Sequence, residues 1–156
     1  MKKVRVEEIQ SLPGPAAVKR KLTDALETTD LALGYYELEE EESTAFGYHA
    51  HGTQEEVFYV LRGAITVRTE SGTVTATADE AVRIPPGELQ QATNERAERA
   101  VVLVVGAPRE AGELALRRFC GSCGEETPQE VRDVDPGRVR ETVCVDCGDV
   151  TGRFTR

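Results

Sequence analysis

Residues 47–63 read Gly-Tyr-His-Ala-His-Gly-Thr-Gln-Glu-Glu-Val-Phe-Tyr-Val-Leu-Arg-Gly. The first half places His49 and His51 one residue apart, and they are the only two histidines in the chain. On an extended strand the side chains alternate, so both imidazoles point to the same face and sit side by side. Two imidazoles in that relation can share one cation, and a carboxylate follows closely at Glu55 or Glu56. The second half, Glu56 to Arg62, is rich in β-branched and aromatic residues and reads as a second strand. The stretch therefore predicts two strands, a tight turn between them, and a metal group carried on their facing sides.

The strand pattern continues outward in both directions. Leu31–Leu38, Ser43–His51, Ala64–Glu70, Thr73–Thr77, Ala81–Ile84, Leu89–Thr93 and Ala100–Gly106 each read as short strands. Turn-forming clusters separate them, among them Glu39–Glu42, Arg62-Gly63, Ser71-Gly72, Asp79-Glu80 and Pro85-Pro86-Gly87. Many short strands with polar turns predict an all-β antiparallel sandwich or barrel, not a βαβ fold. The four glutamates at 39–42 read as a solvated turn. Val101–Val105 is apolar at every position, which predicts cover on both faces. One short helix is expected at about Val18–Leu26, behind an irregular lead-in. The division expected is residues 1–30 as lead-in, 31–117 as the barrel and 118–156 as a small C-terminal unit.

That last unit holds all four cysteines, as Cys120-Gly-Ser-Cys123-Gly and Cys144-Val-Asp-Cys147-Gly. The spacing bends the backbone so that both sulfurs of a pair reach one metal, with Gly124 and Gly148 easing the turn. The pairs resemble the two knuckles of a zinc ribbon. Between them, Asp135-Pro136-Gly137 marks a turn flanked by strands at Glu130–Val134 and Arg138–Val143. So small a unit buries too little apolar surface to hold itself together. Zinc on four thiolates would supply about 10–16 kcal/mol of folding free energy. With no export signal visible at the start, paired thiolates on metal fit a reducing compartment better than disulfides do.

Residues 47–63 also resemble the first motif of the cupin superfamily. That motif has two histidines, a glutamate after four intervening residues, and a glycine seven beyond the glutamate. The counting selects Glu56 and Gly63. Asp79–Asn94 resembles the second motif, with its Pro-x-Gly at Pro85–Gly87 and its closing asparagine at Asn94. Two positions depart. Asp79 stands where a glycine is usual, and Gln90 stands where the second-motif histidine is usual. The resemblance implies a jelly-roll barrel with a central pocket and a metal set of His49, His51, Glu56 and Gln90. An amide oxygen is a weaker, harder donor than imidazole, so the implied cation is iron(II), manganese(II), nickel(II) or zinc. The family likeness also implies a homodimer.

The net charge of −9 repels nucleic acid and anionic membrane as a whole. No run approaches the roughly 20 apolar residues of a membrane span. A cytoplasmic protein is expected. The functional expectation is a small metal-dependent enzyme of oxygenase, isomerase or lyase type acting on a small, oxygen-rich metabolite. The competing expectation is a non-catalytic metabolite sensor whose zinc ribbon contacts a partner. Arg62 and Arg83 could anchor an anionic substrate, but as single arginines beside turns they read as surface groups.

Overall fold

The computed structural model describes residues 1–155. Thirteen strands form two antiparallel sheets. One sheet has the order β1-β2-β9-β4-β7, from Val18–Lys21, Ala32–Leu38, Ala100–Ala107, Glu55–Arg62 and Ala81–Ile84. The other has the order β13-β12-β11-β10-β3-β8-β5-β6. Its strands are Val150–Thr155, Val139–Cys144, Glu125–Asp135, Leu114–Cys120, Tyr48–His51, Gln90–Thr93, Ala64–Thr69 and Gly72–Thr77. This is the antiparallel two-sheet barrel that the strand pattern predicts, with the jelly-roll form that the family resemblance implies.

The core packs between the sheets. Leu38, Phe58, Val60, Ile84, Val102 and Val104 come from one, and Ile65, Val67, Ala76 and Ala92 from the other. Each large side chain fully buried there contributes about 1.5–3 kcal/mol. The filling is uneven along the strands. The inward row of β4 runs Val60, Phe58, Glu56, and that of β8 runs Ala92, Gln90. On β9, Val102 and Val104 lead to Gly106, where an added Cβ would lie 2.4 Å from the Gln54 side chain. One end of the barrel is thus packed with hydrocarbon, and the other turns polar and opens.

Turn chemistry follows the sequence. Asp79 adopts φ 69°, the left-handed conformation a glycine would supply, and Gly63 and Gly87 adopt φ 73° and 80°. Asn94 is fully buried. Its amide donates to the carbonyls of Leu38 and Glu98, and its oxygen accepts from the Arg96 N–H. The closing asparagine of the second motif is therefore a clasp between loops.

Several expectations need correction. Val18–Lys21 is a strand, and only Leu22–Leu26 is helical, ending at Glu27 with φ 59°. In Ser43–His51 only Tyr48–His51 forms a strand. In β9 only alternate residues are buried; Val101, Leu103 and Val105 remain half-exposed on the outer face. The strands β1, β10 and β13 were not foreseen. Residues 117 and 118 lie inside β10, which pairs with β3 on one side and β11 on the other. The C-terminal strands β11–β13 are consequently an arm of the barrel's own sheet.

Candidate metal centre

His49 and His51 lie on β3, beside Leu116 and Leu114 of β10. Glu56 lies on β4 in the opposite sheet, after the turn at Gly52–Gln54. The alternation of β3 and the inward phase of β4 bring the three side chains together. His51 Nε2 is 3.6 Å from Glu56 Oε1, and His49 Nε2 is 4.0 Å from Glu56 Oε2. All three ligand atoms lie within 4.8 Å of one another. Two donors each about 2.1 Å from a shared cation sit at most about 4.2 Å apart, so both measured separations are compatible with a common ion.

The protonation states suit ligation. His49 Nδ1 lies 3.2 Å from the Gly47 carbonyl, to which its N–H donates. That bond fixes the tautomer that leaves a lone pair on Nε2. Burial lowers the pKa of His49 against the opposing pull of Glu56, keeping the ring neutral. The Glu56 carboxylate is only 14% exposed and makes no ion pair with a lysine or arginine among the described residues. A buried anion of this kind is costly unless a cation joins it.

Gln90 arrives beside His49 through the β3–β8 register. Its Nε2 donates to Glu56 Oε2 at 2.8 Å and lies 3.1 Å from His49 Nε2. Its Oε1 is buried with no hydrogen-bond partner, as is His51 Nδ1. In this orientation Gln90 holds the carboxylate. Rotation about its last side-chain bond would present the oxygen to the cluster instead. The donor set of two imidazoles, a carboxylate and an amide fits a divalent transition ion.

The group opens into a cavity of about 390 Å³. Its walls include Lys19, Tyr36, Phe46, Leu116 and Arg140 together with His49, His51 and Glu56. Lys19 belongs to β1 and Arg140 to β12 of the arm. Neither was foreseen as part of the site, because each depends on a strand pairing that no local pattern announces. Arg83 and Arg62 stand on the surface, paired with Glu55 at 2.5 Å and Glu98 at 3.5 Å.

The four cysteines form a second cluster at the end of the arm. Cys120 and Cys144 are buried, and Cys123 and Cys147 are exposed. Sulfur separations of 3.6 Å (Cys120–Cys147) and 3.9 Å (Cys123–Cys144) match the roughly 3.8 Å edge of a zinc–thiolate tetrahedron. They exceed a disulfide bond of about 2.05 Å. Gly124 and Gly148 take φ 77° and 81° and close the knuckles onto the carbonyls of Cys120 and Cys144. The Thr127 hydroxyl, 3.1 Å from the Cys144 sulfur, helps lower that thiol to about 6. The arm is tied to the barrel by Arg118, which donates to the carbonyls of Phe46 and Thr151, and by the edge-on contact of Phe46 with Phe154.

No curated protein matches the sequence. Solved structures do match its fold. A sugar phosphate isomerase from a cupin superfamily, from Silicibacter pomeroyi, aligns with TM-score 0.61 at 18% identity over 99% of this chain and 92% of its own. An uncharacterized conserved protein with a double-stranded β-helix domain from Klebsiella pneumoniae aligns with TM-score 0.59 at 20% identity, over 73% of this chain and 89% of its own. A recombinant oxalate oxidase in complex with glycolate aligns with TM-score 0.59 at 16% identity, over 73% of this chain and 62% of its own. Residues 35–106 match the family model described as the cupin domain. That match falls on the two-sheet barrel, so residues 35–106 resemble a cupin domain, and the four-cysteine cluster lies beyond it toward the C-terminal end.

Proposed function

We propose that the chain is a metal-dependent cupin enzyme, of oxygenase, isomerase or lyase type, acting on a small oxygen-rich metabolite. The observation that carries this reading is the convergence of His49, His51 and Glu56 on the wall of a cavity of ligand size. Iron(II), manganese(II), nickel(II) or zinc would be held by those three residues. Gln90 would orient Glu56 or turn to complete the shell. A bound cation there supplies Lewis acidity and open positions for oxygen ligands. The chain's own residues do the rest. Gly47 fixes the His49 tautomer, Gln90 steadies the carboxylate, and the buried Leu116 beside His49 shields that ring from water. Zinc on Cys120, Cys123, Cys144 and Cys147 would staple the arm, and free thiolates of this kind suit the cytoplasm. The outer face of the five-stranded sheet, with Tyr59, Leu61, Val101, Leu103 and Val105, would pair with a second copy as a homodimer.

A second reading is a non-catalytic sensor. What favours it is the arm's own surface, where Phe119, Val134, Val145 and Val150 are exposed apolar side chains suited to a partner.

The test is metal counting on protein purified without chelators or histidine tags. Two ions per chain are expected, and His51→Ala should leave one, with the fold intact by circular dichroism. A single ion in the wild type, unchanged by His51→Ala, would sink the barrel site. Turnover lost in Glu56→Ala marks an enzyme. Ligand-induced stabilisation with no product marks a sensor.

A further inference from the structure

The cavity at the metal group does not end there. A second compartment, of about 500 Å³, shares Lys19, Tyr36, Glu56, Val104 and Arg140 with it. Lys19 and Arg140 therefore stand where the two spaces meet, facing the same chamber as Glu56. Lys19 reaches this place because β1 pairs with β2 in a register that sets it opposite Tyr36. Arg140 reaches it because the arm folds back over the barrel mouth.

Neither cation is fully matched. The Lys19 ammonium lies 5.5 Å from the ring centres of Tyr36 and Phe46 and makes no ion pair or hydrogen bond among the described residues. Arg140 spends its Nε on Asp133 at 2.6 Å, and its two terminal nitrogens make no hydrogen bond among the described residues. The acids around the chamber are already engaged. Glu56 faces the histidines and Gln90. Asp133 holds Arg140, and Asp24 holds Lys21 and Arg109. Two cations close together, one among aromatic faces with no ion-pair partner and the other paired through Nε alone, repel each other and pay a desolvation cost that is only partly offset. Burial first, and then the Arg140 charge, lower the Lys19 pKa to about 8 against the opposing pull of Glu56. An anion placed between them removes that cost. The Tyr36 hydroxyl, which burial keeps protonated, adds a donor.

We propose that Lys19 and Arg140 form an anion subsite opposite the metal group, so that the small molecule taken by the barrel carries a carboxylate or phosphate at one end and metal-seeking oxygen at the other. The C-terminal arm is then a wall of the binding chamber as well as a stapled appendage. The metal-facing half of this statement rests on the function proposed above; the anion half stands on Lys19 and Arg140 alone.

The test is calorimetric titration of the full-length, metal-replete protein with inorganic phosphate and, separately, with succinate. The wild type should bind at least one of them, and the preferred one names the anion. Lys19→Met and Arg140→Met should each weaken binding about tenfold, as loss of one charged contact does, with metal count and melting retained. Arg140→Lys should keep part of the affinity, and Arg83→Met, outside the chamber, all of it. His51→Ala should lose one ion yet still bind the anion. Silence of both probes in the wild type would overturn the subsite, as would unchanged affinity in Lys19→Met and Arg140→Met or equal weakening in Arg83→Met. Binding abolished by His51→Ala but not by Lys19→Met would place the anion on the metal, overturning the subsite and leaving the metal reading intact. Retention of both ions in His51→Ala would overturn the metal reading without touching the subsite.

Discussion

At the scale of single residues, the polar end of the barrel is built from groups that are costly until something binds. Lys19 shows this most directly. Its pKa drops from 10.5 to about 8, first through burial and then through the Arg140 charge. The folded chain thus binds fewer protons at this position than the unfolded chain between those two values. Stability linked to Lys19 is full above about 10.5 and is lost as the pH falls through about 8. Parallel urea titrations should show the wild type losing ground to Lys19→Met over that window, with the difference levelling off below it. The metal residues were legible for a simple reason. His49, His51 and Glu56 sit in one short stretch whose alternation fixes their faces. Gln90 was legible as a position, but its hydrogen bond to Glu56 was not, because the choice between amide nitrogen and oxygen is made by neighbours from other strands.

Among the strands, those with clear alternation were read correctly, and those governed by distant partners were not. The basic run Val18–Lys21 has no strand signature, and its extension comes from pairing with β2. Leu114–Cys120 likewise owes its shape to β3 and β11. These two strands carry or frame what the sequence could not assign, since the facing of Lys19 follows from one and the placement of Arg140's arm from the other. The run Val101–Val105 teaches the opposite lesson. Its composition predicted burial on both sides, yet a single chain covers only Val102 and Val104. The half-exposed row of Val101, Leu103 and Val105 continues onto β4 through Tyr59, paired with Leu103. If a second copy supplies the missing cover, Leu103→Glu should convert a dimer to a folded monomer in light scattering after size-exclusion chromatography, because an unpaired carboxylate is not tolerated in an apolar interface.

For the whole molecule, the joined sheet means that the two candidate metal clusters share a scaffold. β10 ends at Cys120 and, a few residues earlier, lies against His49 and His51. Cys144→Ser should release one ion and speed amide hydrogen exchange across β11–β13. Protection of β4 and β9 at the far sheet should persist, since the hydrocarbon core does not involve the arm. Melting of β4 and β9 along with the arm would show that the barrel has no stability of its own.

The charge of −9 has its own consequence for traffic into the chamber. A negatively charged visitor meets a repelling exterior before it feels Lys19 and Arg140, and the two influences have different ranges. Small ions in solution mute the long-range repulsion more than the close contact inside. Raising sodium chloride at fixed pH should therefore quicken the capture of an anion in stopped-flow measurements, the reverse of what a cationic surface would give. Slower capture with added salt would mean that the rim's local positive charge outweighs the coat around it.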